Sequence, residues 1–169
     1  MGNQSKLFVS LKPENTGVLF NNHIEENDSI NILDEEYVFN GGGVLAADFD
    51  NNGLVDLFFT GNQVSNRLYL NKGNFQFEDI SSQAQIEAKK QWATGTTYAD
   101  INGDGYLDIY VCTAMYKGNR KNLLYINQGL QPDGALRFEE SAEAYGVADT
   151  GNSMGAAFFD YNRDGLLDL

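Results

Sequence analysis

Histidine and cysteine are almost missing from this chain of 169 residues, with His23 and Cys112 each standing alone. One of each cannot build the Cys/His cages that hold zinc, and a single cysteine has no partner for an internal disulfide. Cys112 reads as a small buried hydrophobe on a strand. His23 lies in an acidic stretch with no nucleophile paired to it, so no enzyme active site is expected within these residues. Proline is scarce at 2, and basic residues are few, 11 against 24 acids, for a formal net charge of −13. That balance argues against nucleic acid and anionic membrane as partners, since both reward basic patches. No apolar run approaches the roughly 18 residues of a membrane span, so no direct membrane insertion is expected. No targeting segment is visible either.

Glycine, in contrast, is abundant at 18, beside 9 Tyr and 11 Phe. Apolar residues make up 42% of the chain, enough for a core. The mixture predicts many short strands joined by tight turns, an all-β fold.

The chain repeats itself. Three segments share a Gly five residues before an Asp, then Asp-x-Asp/Asn-x-Asp/Asn-Gly-x-x-Asp between short apolar runs. They begin at Gly43, Gly95 and Gly155, and their first aspartates, Asp48, Asp100 and Asp160, lie 52 and then 60 residues apart. The likeness continues beyond the loop. Asn66 to Gly73 (Asn-Arg-Leu-Tyr-Leu-Asn-Lys-Gly) matches Asn122 to Gly129, and Phe77 to Ile80 matches Phe138 to Ser141. One unit reads strand, acidic loop, strand, long loop, strand, turn, strand. Four antiparallel strands in roughly 50 residues is the size of a propeller blade.

The boundaries follow from that repeat. Residues 1–39 form a lead-in segment, 40–91 a first blade, 92–151 a second, and 152–169 the first hairpin of a third. Phe8 to Leu11 resembles the outer strand at Phe138 to Ser141, and is expected to be an outermost strand of the kind that closes a propeller ring. About two and a half blades plus that strand make an incomplete propeller, because rings close with four to eight blades. The expectation is a piece of a longer protein.

The loops carry the chemistry. In the second, Asp100, Asn102 and Asp104 hold positions 1, 3 and 5, Gly105 makes the sharp turn at position 6, Tyr106 offers its carbonyl at position 7, and Asp108 closes the shell at position 9. The first offers Asp48, Asp50, Asn52, the Leu54 carbonyl and Asp56. The third offers Asp160, Asn162, Asp164, the Leu166 carbonyl and Asp168. Calcium takes roughly six to eight hard oxygen ligands in flexible geometry, whereas magnesium demands a strict octahedron and soft metals want Cys or His. Two to three calcium ions are expected. An EF-hand is excluded, since it needs Glu at position 12, where Phe59 and Val111 stand, and helices where these flanks alternate like strands. Ordinary Asp/Asn/Gly turns would not keep five positions through three copies.

These motifs resemble the FG-GAP/VCBS repeat, which builds the seven-bladed propeller of integrin α-subunits and many bacterial surface proteins. Asn-x-Leu-Tyr-x-Asn-x-Gly and the Gly41 to Gly43 run are similar to the bacterial, Bacteroidota-type branch of secreted or lipid-anchored proteins. The resemblance implies calcium held by the loop residues named above, stiffening the first hairpin of each blade, and a non-enzymatic binding or scaffold module. It implies an extracellular or outer-membrane setting and a protein or glycan partner, with a larger outer-membrane assembly as one form. Partner contacts are expected at the loops Gln83 to Trp92 and Thr113 to Lys121, with Trp92 and Tyr116 able to stack on a sugar. The alternative is the propeller part of a polysaccharide lyase or glycan-utilisation protein whose active site lies outside this fragment.

Overall fold

Two four-stranded antiparallel meanders make up the protein, seen in a computed structural model that describes residues 7–34, 36–114 and 119–169. The first sheet runs in order through β1 (Val44–Ala47), β2 (Asp56–Phe59), β3 (Arg67–Asn71) and β4 (Phe77–Asp79). The second runs through β5 (Ala93–Ala99), β6 (Asp108–Thr113), β7 (Leu123–Leu130) and β8 (Leu136–Glu140). Their first hairpins close at matching points, Ala47 opposite Asp56 and Ala99 opposite Asp108. Each acidic loop therefore joins the first two strands of its sheet.

The pleat explains which side chains are used. Along β1, Leu45 and Ala47 point into the core while Val44 faces solvent, as period-two alternation requires. Leu45, Phe58 and Leu68 of the first sheet share one core with Ile109, Val111 and Leu123 of the second. Burying such side chains contributes about 1.5–3 kcal/mol apiece. Every residue of β6 is buried, because its other face is covered too. There Tyr110 and Cys112, with Leu124 and Ile126 of β7, pack beneath Val147, Ala156 and Phe158. Burial in that layer pushes the Cys112 thiol up to about 11, as suits an inert core cysteine.

The repeated glycine serves close approach ahead of the first two loops, whereas a Cβ on Gly155 would meet nothing within 4 Å. A Cβ on Gly43 would lie 2.9 Å from Thr96 Cγ2 and 3.0 Å from the Thr94 carbonyl; one on Gly95 would lie 2.4 Å from the Met154 carbonyl. Gly43 N–H donates to Thr94 O at 2.8 Å. The first strand of one unit thus meets the first strand of the next backbone to backbone, and only glycine fits there.

Two expectations are corrected. Phe8 to Leu11 forms no strand, and Leu7, Phe8 and Val9 are at least 73% exposed. The chain turns instead into a four-residue helix, α1 (Pro13–Thr16), with proline in its first turn and Gly17 at φ 80° closing its end, the usual proline-in, glycine-out pairing. The lead-in segment then packs on the first sheet. Phe20 stacks on Phe59 with centroids 5.0 Å apart, and Asn22 exchanges hydrogen bonds with Asn62 at 2.6 and 2.9 Å. The third hairpin, expected across 152–169, is present as one antiparallel bridge between Phe159 and Asp168.

Candidate metal centre

The three loops adopt one backbone shape. Position 6 is glycine each time, with φ of 83° at Gly53 and 88° at both Gly105 and Gly165, a region that side chains resist. Position 4 is left-handed as well, at Asn51, Gly103 and Arg163. The position-1 carboxylate folds back over this turn. Asp48 accepts from the N–H of Asn52 (3.1 Å) and Gly53 (2.8 Å). Asp100 accepts from Gly103 (2.8 Å), Asp104 (3.1 Å) and Gly105 (2.9 Å). Asp160 accepts from Asp164 (3.1 Å) and Gly165 (2.9 Å). Positions 3 and 5 bond each other in every copy, as Asp50 with Asn52, Asn102 with Asp104 and Asn162 with Asp164. Leu54, Tyr106 and Leu166 each donate an N–H to the position-5 side chain. Among the described residues, nothing donates to their carbonyls.

Position 9 is different in kind. Asp56 and Asp108 are fully buried, and each is held at both oxygens. Phe49 N–H reaches Asp56 Oδ2 at 2.9 Å and Asn71 N–H reaches its Oδ1 at 2.8 Å. Ile101 N–H and Asn127 N–H do the same for Asp108, at 3.0 and 2.8 Å. Burial pushes the Asp56 carboxyl up to about 6, against the pull of those two N–H donors, with repulsion from Asp50 and Asp48 adding to the rise. Desolvation also raises Asp50 and Asp108. Asp164 is shifted down, chiefly by the Leu166 N–H and then by Asn162. Asp168 keeps only the Tyr161 N–H, at 2.9 Å.

In the first loop Asp48, Asp50 and Asp56 bring one carboxylate oxygen each to within 4.8 Å of one another. The second and third loops carry Asn at position 3 and their third carboxylate at position 5; among the described residues they form no such three-carboxylate group. None of the nine loop aspartates has a Lys or Arg partner among the described residues. The donor set is all oxygen, which fits a hard divalent cation.

Asn71 and Asn127 belong to this site, and sequence reasoning missed them. Both are the second Asn of the repeated Asn-x-Leu-Tyr-x-Asn-x-Gly stretch, and that repetition of a polar residue after an apolar run was the available signal. Elsewhere, Trp92 is half-buried and lines a cleft with Tyr37, Val38, Thr94, Ala114 and Met154. Tyr116 lies outside the described residues. His23 is exposed on the surface.

Comparison with known proteins agrees with the repeat. Residues 37–111 match the FG-GAP-like repeat family, a span that takes in the first two loops. Curated relatives include cartilage acidic protein 1 of Homo sapiens, 30% identical over 132 residues, and those of Xenopus tropicalis, 28% over 125, and Mus musculus, 28% over 132. The alignments cover 73–76% of this chain and 18–20% of the relatives, so the chain spans about a fifth of their length. All three are animal proteins, and the expected bacterial affiliation finds no support among them. Among the described residues no helix is long and apolar enough to cross a membrane.

Proposed function

We propose that this chain is a calcium-braced stretch of β-propeller repeats, two four-stranded blades and the hairpin of a third, serving as a non-catalytic binding or scaffold module. One observation carries the reading. Asp48, Asp50 and Asp56 gather within 4.8 Å, with no cationic side chain paired to them among the described residues, and Asp56 is buried. Like charges so placed repel, and a buried carboxylate without a counter-charge is costly. A divalent cation reverses the sign of both effects.

Asp48, Asp50, Asn52, the Leu54 carbonyl and Asp56 would hold the first ion. Asp100, Asn102, Asp104, the Tyr106 carbonyl and Asp108 would hold the second. Asp160, Asn162, Asp164, the Leu166 carbonyl and Asp168 would hold a weaker third, its last carboxylate being the less firmly held. The ion supplies positive charge and fixes the hairpin; the chain supplies the oxygens and the N–H groups that aim them.

The FG-GAP-like match supports a repeat module over an enzyme. The relatives are named for cartilage, which supports a setting outside the cell, where calcium is plentiful enough for loops of this kind. The cleft beside Trp92 opens at the strand ends away from the acidic loops, and is the surface we assign to a protein or glycan partner.

Thermal unfolding with calcium and with chelator, alongside calorimetric titration, tests the reading. A ligand bound only by the folded state raises the midpoint by mass action, about 2.7 kcal/mol of stability at a hundredfold excess over Kd. We expect two strong sites and a weaker third. No heat and no shift would reduce the loops to ordinary hairpin turns.

A further inference from the structure

The first two loops are tied to each other, and the tie passes through the groups that hold their carboxylates. Phe49 donates its N–H to Asp56 Oδ2 at 2.9 Å and accepts at its carbonyl from Asn127 Nδ2, also at 2.9 Å. Asn127 in turn donates its own N–H to Asp108 Oδ1 at 2.8 Å. Three hydrogen bonds and two residues therefore connect the position-9 carboxylate of one loop to that of the next. Asn127 is wholly buried, and its amide also reaches Leu107 O at 3.2 Å. A second tie runs along the exposed side, where Asn51 Nδ2 donates to Gly105 O at 3.0 Å. Gly105 is the position-6 residue whose N–H holds Asp100.

Among the described residues these two ties join the first and second loops only. Asn71, the counterpart of Asn127, makes the matching bond within its own hairpin, to Val55 O at 2.8 Å, as Asn127 does to Leu107 O. In the second loop the place of Asn51 is taken by Gly103, which has no side chain to reach the third loop.

We propose that the first and second loops bind calcium cooperatively, with Asn127 and Asn51 as the positioning residues that couple them; this rests on reading the loops as cation sites. An ion drawing on Asp48, Asp50 and Asp56 fixes Phe49 and Asn51. Through them it fixes Asn127 and Gly105, so the second loop has less freedom left to lose when its own ion arrives. Repulsion between two divalent ions opposes this, and is screened over about 8 Å at physiological ionic strength. Among the described residues the third loop makes neither tie to the second, and it should titrate by itself.

Calcium calorimetry in 0.15 M KCl reads the coupling, in an Asp160→Ala background that removes the third site. Occupying one loop should tighten the other by about 5-fold or more, the low end of ordinary coupling between sites. Asn51→Gly should cut that factor severalfold while the midpoint in chelator stays put, because Gly103 shows that glycine suits this left-handed position. Asn127→Ala should abolish the coupling, and its midpoint in chelator reports separately on folding. As linkage requires, Asp100→Ala should weaken the first loop by the factor that Asp48→Ala weakens the second. Two independent sites in the parent, or coupling untouched by Asn51→Gly and Asn127→Ala, overturns the proposal and leaves the loops as calcium sites. Absence of any binding overturns both.

Discussion

The two sheets share a register and a loop, and differ in what lies on their outer faces. In the second, Ile109 and Val111 face the first sheet while Tyr110 and Cys112 face residues 142–158, so β6 is buried throughout. In the first, Leu57 and Phe59 hold the places of Ile109 and Val111 and are only half-buried. Phe20 covers there what a whole sheet covers in the other. Polar groups feel the same difference. Asn122 is satisfied, its Oδ1 by Thr113 N–H at 2.7 Å and its Nδ2 by Tyr110 Oη and Ser153 Oγ at 3.0 and 2.8 Å. Its counterpart Asn66 accepts from Gly61 N–H at 3.0 Å, but among the described residues its Nδ2 has no partner. Phe58 and Ala93 stand where Tyr110 and Ser153 stand in the other unit. How deeply a strand is buried, and whether its polar groups are met, is set by the neighbouring unit as much as by its own residues.

Paired substitutions measure that difference. Ile109→Ala should cost about 2–5 kcal/mol of unfolding free energy in chemical denaturation, as large-to-small core changes do. Leu57→Ala, at the matching place, should cost about half as much or less, since it loses less buried area; equal costs would erase the distinction between the sheets. Next in size, Asp108→Ala leaves the buried Asn127 N–H and the part-buried Ile101 N–H unmet and should cost about 1–3 kcal/mol. Asp168→Ala frees one donor in a half-open hairpin and should cost under about 1 kcal/mol. Both are best measured in chelator, so that folding is read apart from any ion. Smallest, Phe58→Tyr should stabilise by about 0.5–1.5 kcal/mol by giving Asn66 Nδ2 the hydroxyl that Asn122 has. The Tyr110 hydroxyl also donates to Val147 O at 2.8 Å, and Ile86 occupies the matching place beside Phe58. A loss of stability there would mean that the first core has no room for the oxygen.

Much of this was legible from residue order. The repeat placed both meanders and all three loops, because each acidic loop writes its first carboxylates, its turn glycine and its closing Asp within nine consecutive positions. The β4 and β8 strands were legible for the same local reason. Asn71 and Asn127 were not, as each acts on an aspartate 15 and 19 residues upstream, an offset that changes with the length of the intervening loop. The lead-in segment was illegible because Phe20 and Asn22 find partners only in the folded first sheet. Phe8 to Leu11 looked like a strand by pattern, and pattern says nothing of whether an edge is present to pair with it.

The position-9 carboxylates have a consequence for the order of folding. Asp56 and Asp108 each take one N–H from their own hairpin and one from the third strand, through Asn71 and Asn127. The hairpin alone leaves one oxygen of the position-9 carboxylate unaimed; it is brought into line only when the third strand has docked. If such a loop binds an ion as proposed, the ion would be captured late, by a unit already assembled through three strands. Calcium would then act as an inspector of finished work, holding what has folded correctly and giving little help to a chain still searching.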